Sequence, residues 1–178
     1  MLLNSKSTMP KEERPILLVE DDREDAHFFE EALRECGFQN PVHIVHTAEE
    51  GIKYLAADGP YSNRDKYPWP YLVVLDVHLP GRSGWEVLSW LRERPESGKS
   101  VILILGGSGS VAEEDMAHRL GVNGYHPKPQ TAPELRKLVT RIGEFWLRGP
   151  SIWEQPAGVD GKTRSTKAPD KQLPSKSR

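Results

Sequence analysis

One cysteine in 178 residues rules out an internal disulfide, and Cys36, lying among helix-patterned residues, is expected to serve packing. So low a thiol content fits a reducing, cytoplasmic setting. No apolar run approaches the roughly 20 residues that cross a bilayer. The start "MLLNSKSTMPKEERP" has two adjacent leucines before turning polar, so neither a membrane span nor a signal peptide is expected. The glycine-rich stretch "LGGSGS" (Leu105–Ser110) follows an apolar run as a phosphate loop would. It lacks the Lys-Ser/Thr that such a loop needs, which excludes a nucleotide cradle. Large apolar side chains are nearly absent from residues 157–178, so this end cannot offset the entropy of ordering and is expected to be a disordered tail. A strong net charge is also missing, but the formal −2 hides an asymmetry. Six basic side chains against Asp160 and Asp170 make 157–178 +4, leaving −6 on 1–156. A basic tail of this kind is read as solubilising, and nucleic-acid binding is not expected.

What the sequence does have is order. Short apolar runs recur at "ILLV" (16–19), "VHIV" (42–45), "YLVVL" (71–75) and "VILIL" (101–105), with a shorter "NGYH" at 123–126. Their near-continuous hydrophobicity predicts strands covered on both faces. Helix-period segments lie between them. Over 24–36, Ala26, Phe29, Leu33 and Cys36 recur at spacings of three and four; 48–57 follows Thr47 with Glu50 three residues on. That capping-box spacing recurs at Ser83 and Glu86, Ser110 and Glu113, and Thr131 and Glu134, the last with Pro133 in the first turn. Gly37 and Gly121 stand where helices should stop. Five β-α repeats predict a single α/β domain built on a parallel sheet, with ligands gathering at the carboxyl ends of the strands.

The residues just after each apolar run are therefore the ones to compare. Glu20, Asp21 and Asp22 follow the first, Asp76 ends the third, Gly106 and Gly107 follow the fourth, and Lys128 follows the fifth. Carboxylates packed together repel, and a divalent cation relieves the repulsion; hard oxygen ligands with open positions suit Mg²⁺. A carboxylate so placed can attack a phosphoryl donor while a lysine holds the oxygens of the transferred group.

The motifs "ILLVEDD", "LVVLDVHLPGRSGWEVL" and "GYHPKP" make residues 14–148 resemble the receiver domain of bacterial two-component response regulators. The insert "DGPYSNRDKYPWP" and the "FWL" ending (Phe145–Leu147) are similar to the single-domain regulators paired with phytochrome-type histidine kinases. The resemblance implies a doubly wound, flavodoxin-like (βα)5 sheet of strand order 2-1-3-4-5. It also implies Asp76 as phosphoacceptor, with Mg²⁺ held directly by Asp21 and Asp76, by the backbone carbonyl of His78, and through water by Glu20. Lys128 would pair with the phosphoryl group, a cis bond would precede Pro129, and Asp22 would start the first helix. The histidine-kinase partner would be of the phytochrome type.

One departure stands out. Gly106 occupies the position where the family has Thr or Ser, whose hydroxyl bonds a phosphoryl oxygen and draws the loop inward so that the aromatic here numbered Tyr125 swings into the vacated space. Gly107 takes the adjacent small-residue position. A weakened switch is expected, with Ser108 or a freed backbone N–H recovering part of the lost bond. Output is expected through protein contacts. The last helix carries Leu135, Leu138, Val139, Ile142, Phe145 and Trp146, a wider apolar set than one core-facing stripe requires. It predicts a homodimer, with Ile152 and Trp153 in an arm at 149–156 and residues 1–13 as a flexible N-terminus. Trp85 is placed near the acceptor loop and Trp90 in packing. Two other readings are weighed. One is a pseudo-receiver or phosphate sink with an impaired switch, favoured by Gly106. The other is an aspartate-nucleophile phosphatase, disfavoured because His78 stands where a second Asp would serve as acid.

Overall fold

The strand runs sort themselves by alternation. In a computed structural model that describes residues 10–107 and 110–149, β1 (Ile16–Val19), β2 (Val42–Val45), β3 (Leu72–Asp76), β4 (Val101–Gly106) and β5 (Gly124–Pro127) form one parallel sheet of order β2-β1-β3-β4-β5. The three central strands are buried along their whole length, as their unbroken apolar character requires. Side chains of even and odd positions leave on opposite faces. Ile16, Leu18, Leu72, Val74, Leu103 and Leu105 pack with α1 (Arg23–Glu35) and α5 (Ala132–Ile142). Leu17, Val19, Val73, Leu75, Ile102 and Ile104 pack with α2 (Ala48–Ala56), α3 (Gly84–Arg92) and α4 (Val111–Arg119). The two layers bring the carboxyl ends of all five strands to one rim.

Helix starts follow the capping residues, with one exception. Thr47 Oγ1 accepts the Glu50 N–H at 3.1 Å, and Ser110 and Thr131 do the same for Glu113 and Glu134 at 3.4 Å. Ser83 makes no side-chain cap bond. The start of α3 is fixed instead by the Gly84 N–H on Val77 O (3.2 Å) and by the Glu86 N–H on the Ser83 carbonyl. A Cβ at Gly84 would overlap the carbonyl oxygen of Asp76, so only glycine lets the helix start so close to that residue. Gly37 ends α1 at φ +81°, a left-handed conformation that glycine adopts without steric cost.

Two expectations need correction. Residues Lys11–Glu13, placed in a flexible extension, form a 3-10 turn, and Lys11 Nζ donates to Arg148 O at 2.6 Å. The ordering force is Arg14. Its buried guanidinium stacks 4.5 Å from the Tyr71 ring centroid, and its Nη1 reaches the carbonyls of Trp146, Leu147 and Gly149 at 2.7–3.1 Å. The second concerns the apolar set of the last helix, most of which packs within the subunit while Phe145 stays free for a partner. Leu138, Val139 and Ile142 are buried, and Leu135 and Trp146 pack against the same core. A π-helical turn (Gly143–Leu147), closed by the Arg148 N–H on Gly143 O, carries Trp146 and Leu147 round to the core. Phe145, 66% exposed, stays outside. Ile152, Trp153, the rest of the 149–156 arm beyond Gly149, and the 157–178 tail lie outside the described residues.

The insert before β3 is a folded part of the domain. Arg64 donates to the carbonyls of Tyr54 and Leu55 at the end of α2, while Tyr54, Tyr61, Tyr67 and His43 form a cluster of tilted and edge-on rings. Trp85 and Trp90 both pack partly buried against the core, with the Arg94 guanidinium stacked 3.3 Å from the Trp90 ring centroid. Cys36, half-buried beside the other core, serves packing as expected. Among the described residues no helix is long and apolar enough to cross a membrane.

Candidate functional site

The register that aligns the strands also gathers the acidic residues. Glu20 follows β1 and is held by its N–H on Val45 O; Asp76 is the last residue of β3; both are buried. Asp21 is exposed beside them, and one oxygen from each of Glu20, Asp21 and Asp76 lies within 4.8 Å of the others. Three hard oxygen donors on one rim fit a divalent cation such as Mg²⁺. Asp22 points away and caps α1, its Oδ1 accepting the N–H groups of Glu24 and Asp25.

Lys128 enters from the opposite side of the rim. Its N–H donates to Gly106 O at 2.7 Å, which fixes the backbone. Its Nζ then lies 2.9 Å from Glu20 Oε1, 2.8 Å from Asp25 Oδ2 and 2.9 Å from Asp76 Oδ2. The Lys128–Pro129 bond is trans, there being no cis peptide among the described residues; the ammonium reaches all three carboxylates from the lower-energy isomer. Burial pulls the ammonium down, but hydrogen bonds to Asp25, Glu20 and Asp76 outweigh it and hold Lys128 well above the ordinary lysine range. Burial pushes the Glu20 carboxyl up to about 7, against the pull of Lys128. The second Asp76 oxygen, Oδ1, accepts the His78 N–H at 2.7 Å. An open groove of about 390 Å³ leads from Glu20 and Lys128 between α1 and α5, lined by Phe29, Ala32 and Leu135.

The glycine side of the site is built differently. A Cβ on Gly106 would overlap the hydroxyl end of Tyr125, and one on Gly107 would lie 2.8 Å from Cδ2 of His78. Tyr125 thus already lies over Gly106. Its hydroxyl donates to Glu113 Oε2 at 2.7 Å, and the other carboxylate oxygen of Glu113 is 3.1 Å from His78 Nε2. Burial, reinforced by Glu113, pushes the Tyr125 hydroxyl up to about 12. The His78 imidazole is exposed on one side and partnered by Glu113 on the other. Ser108, expected to compensate for the glycine, lies outside the described residues.

Asp25 and Glu113 were not singled out for the site from sequence. Asp25 carries a signal, since it lies in the first turn of a helix whose cap belongs to the acidic motif. Glu113 has the spacing of a capping box, but its carboxylate turns to Tyr125 and His78 instead.

Comparison with known proteins identifies the family and the fold. The response regulator receiver domain profile matches residues 16–140. Response regulator Rcp1 of Synechocystis sp. is 30% identical over 145 residues, covering 82% of this chain and 95% of Rcp1. The crystal structure of its Mn²⁺-bound form superposes with a TM-score of 0.68 over 75% of this chain and 94% of that one, at 29% identity. The phosphorylated cyanobacterial phytochrome response regulator RcpA gives a TM-score of 0.70 at 31% identity, over 76% of this chain and 94% of RcpA. The transcriptional regulatory protein YkoG of Bacillus subtilis is 31% identical over 166 residues, covering 89% of this chain but only 65% of YkoG, so the chain spans less than two thirds of that longer relative.

Proposed function

This chain belongs to the response regulator receiver domain family, and from that premise we propose that it accepts a phosphoryl group from a histidine kinase on Asp76. The observation that carries the proposal is the convergence of Glu20, Asp21, Asp76 and Lys128 on one rim. Asp21, Asp76 and the His78 carbonyl would hold Mg²⁺ directly, with Glu20 acting through water. When bound, the ion neutralises the carboxylates and the oxygens of the transferring group.

The chain's own residues supply the rest. The Asp76 carboxylate is the nucleophile. A bond forms from its oxygen to phosphorus as the bond to the donor imidazole nitrogen breaks, and the electron pair leaves with the imidazole. Lys128 stays protonated because its carboxylate partners favour the charged form, so its ammonium is ready to donate to a phosphoryl oxygen. The groove between α1 and α5 gives a donor access from the Lys128 side. The protein assists its own phosphorylation and is not an enzyme acting on a separate substrate.

Similarity to the phytochrome response regulator RcpA supports a phytochrome-type kinase as donor. Residues 14–148 form the receiver unit in a cytoplasmic protein whose output is contact with other proteins, including a homodimer through the last helix, on which Phe145 is exposed. One observation favours a second reading, an interaction module or phosphate sink with an impaired switch: Tyr125 covers Gly106 with no hydroxyl beneath it. Incubation with acetyl phosphate tests the proposal. Wild type is expected to take up an acid-labile, Mg²⁺-dependent phosphoryl group and Asp76→Asn none; equal labelling of both would overturn it.

A further inference from the structure

Between Asp76 and α4 runs a continuous chain of polar contacts that crosses three separate elements. The His78 N–H donates to Asp76 Oδ1 at 2.7 Å. The imidazole of the same residue lies 3.1 Å from Glu113 Oε1, and Glu113 Oε2 accepts the Tyr125 hydroxyl at 2.7 Å. Glu113 sits in the first turn of α4, where Ser110 Oγ accepts its own N–H. One carboxylate, 19% exposed, thus joins the loop after β3 to β5 and to the start of α4.

The glycine pair makes this arrangement possible. Neither Gly106 nor Gly107 has a positive φ, so neither is needed for backbone conformation. Both are needed for space, because a Cβ on Gly106 would overlap Tyr125 and a Cβ on Gly107 would press on His78. The two rings lie over the two glycines and meet at Glu113.

We propose that His78, Glu113 and Tyr125 form a latch over Gly106 and Gly107 that couples the state of Asp76 to the first turn of α4, in place of the hydroxyl this chain lacks. The proposal rests on Asp76 being the phosphoacceptor. Phosphorylation turns the Asp76 carboxylate into an acyl phosphate, so the oxygen facing the His78 N–H loses its share of the negative charge. A hydrogen bond to a neutral acceptor is weaker than one to a carboxylate. The loop that carries His78 is then held less firmly, its imidazole retreats from Glu113, and the first turn of α4 loosens.

Beryllofluoride with Mg²⁺, a mimic of the phosphoryl group, provides the test, read by amide exchange and NMR shifts on the full chain. In wild type, resonances around Asp76 and Lys128 are expected to move, and amides 113–117 to exchange faster, on the order of threefold, as loss of one modest hydrogen bond implies. In Glu113→Ala these amides exchange fast from the start and the mimic changes them no further, while the shifts around Asp76 persist. Tyr125→Phe keeps the ring over Gly106 and removes only the hydroxyl, so an intermediate response is expected even if Glu113→Ala folds poorly. A wild-type-sized change at 113–117 in Glu113→Ala and Tyr125→Phe would overturn the latch. So would shifts at Asp76 in wild type with no change at 113–117. Absence of any shift around Asp76 would remove the acceptor itself, and the latch with it.

Discussion

At the carboxyl ends of the strands Lys128 lies among Glu20, Asp25 and Asp76, with Asp21 close by; at the amino ends Arg14 is buried against main-chain carbonyls and the Tyr71 ring, with no carboxylate partner among the described residues. Both cations are satisfied, but by opposite means. Carbonyl dipoles and an aromatic face answer the charge of Arg14 without leaving an excess, which suits a clamp joining the start of the domain to its last helix. Around Lys128 the carboxylates outnumber the ammonium, and the surplus is held in place by folding. Burial has pushed Glu20 up to about 7, a cost that packing alone gives no reason to bear. Excess charge of one sign, fixed by the fold, distinguishes the rim proposed to react from the purely structural end.

Exchanging the roles of the two cations tests that distinction. Lys128→Ala should slow labelling by acetyl phosphate by about 100-fold or more, the scale of losing one charged donor to developing negative charge. Time courses at fixed Mg²⁺ would show it; a change under twofold would mean the ammonium does not touch the transferred group. Arg14→Ala should do the reverse. It leaves buried carbonyls without their donor and should lower unfolding stability by about 3 kcal/mol. Urea titration measures this, and the labelling rate of the folded fraction should stay unchanged. If Arg14→Ala slowed labelling as much as Lys128→Ala, the two ends would not be separable.

Gly106→Thr acts next to the reactive rim without adding charge. The new side chain must displace the Tyr125 ring, costing about 1–3 kcal/mol as overpacking does, and breaking the Tyr125–Glu113 bond. The Tyr125 ring resonances should then differ more between free and phosphorylated protein than in wild type; identical spectra would show that the glycine does not set the ring's position. The smallest effect is expected away from both ends. Burial lowers His43 and His126 below the ordinary 6.5. Below that value the unfolded chain binds protons that the folded chain refuses, so stability falls as pH drops through and below 6.5. Tm should decline over that interval, and His43→Asn with His126→Asn should flatten the decline.

Sheet order, helix placement and the gathering of acidic residues and a lysine on one rim were legible in the sequence because each depends on local pattern. Unbroken apolar runs gave the central strands, and strand ends gave Glu20, Asp21, Asp76 and Lys128. What was not legible depends on where side chains of distant segments meet. Glu113 has the spacing of a cap, yet its carboxylate serves Tyr125 and His78, which only the β5–α4 geometry brings near. Arg14 opens the domain with nothing in the sequence to mark its role, because its acceptors, the carbonyls of Trp146 and Leu147, lie more than 130 positions away. Which residues of the last apolar stripe face the core was not legible either, because the π turn that brings Trp146 against it has no sequence signature.

Borohydride reduces an acyl phosphate on aspartate to homoserine, so peptide mass spectrometry of trapped protein reads the acceptor position itself. After acetyl phosphate and Mg²⁺, homoserine is expected at position 76 alone, and nowhere when the cation is chelated. Homoserine at position 21, 22 or 25, or none at all under conditions that label a known acceptor protein, would contradict Asp76 as the nucleophile.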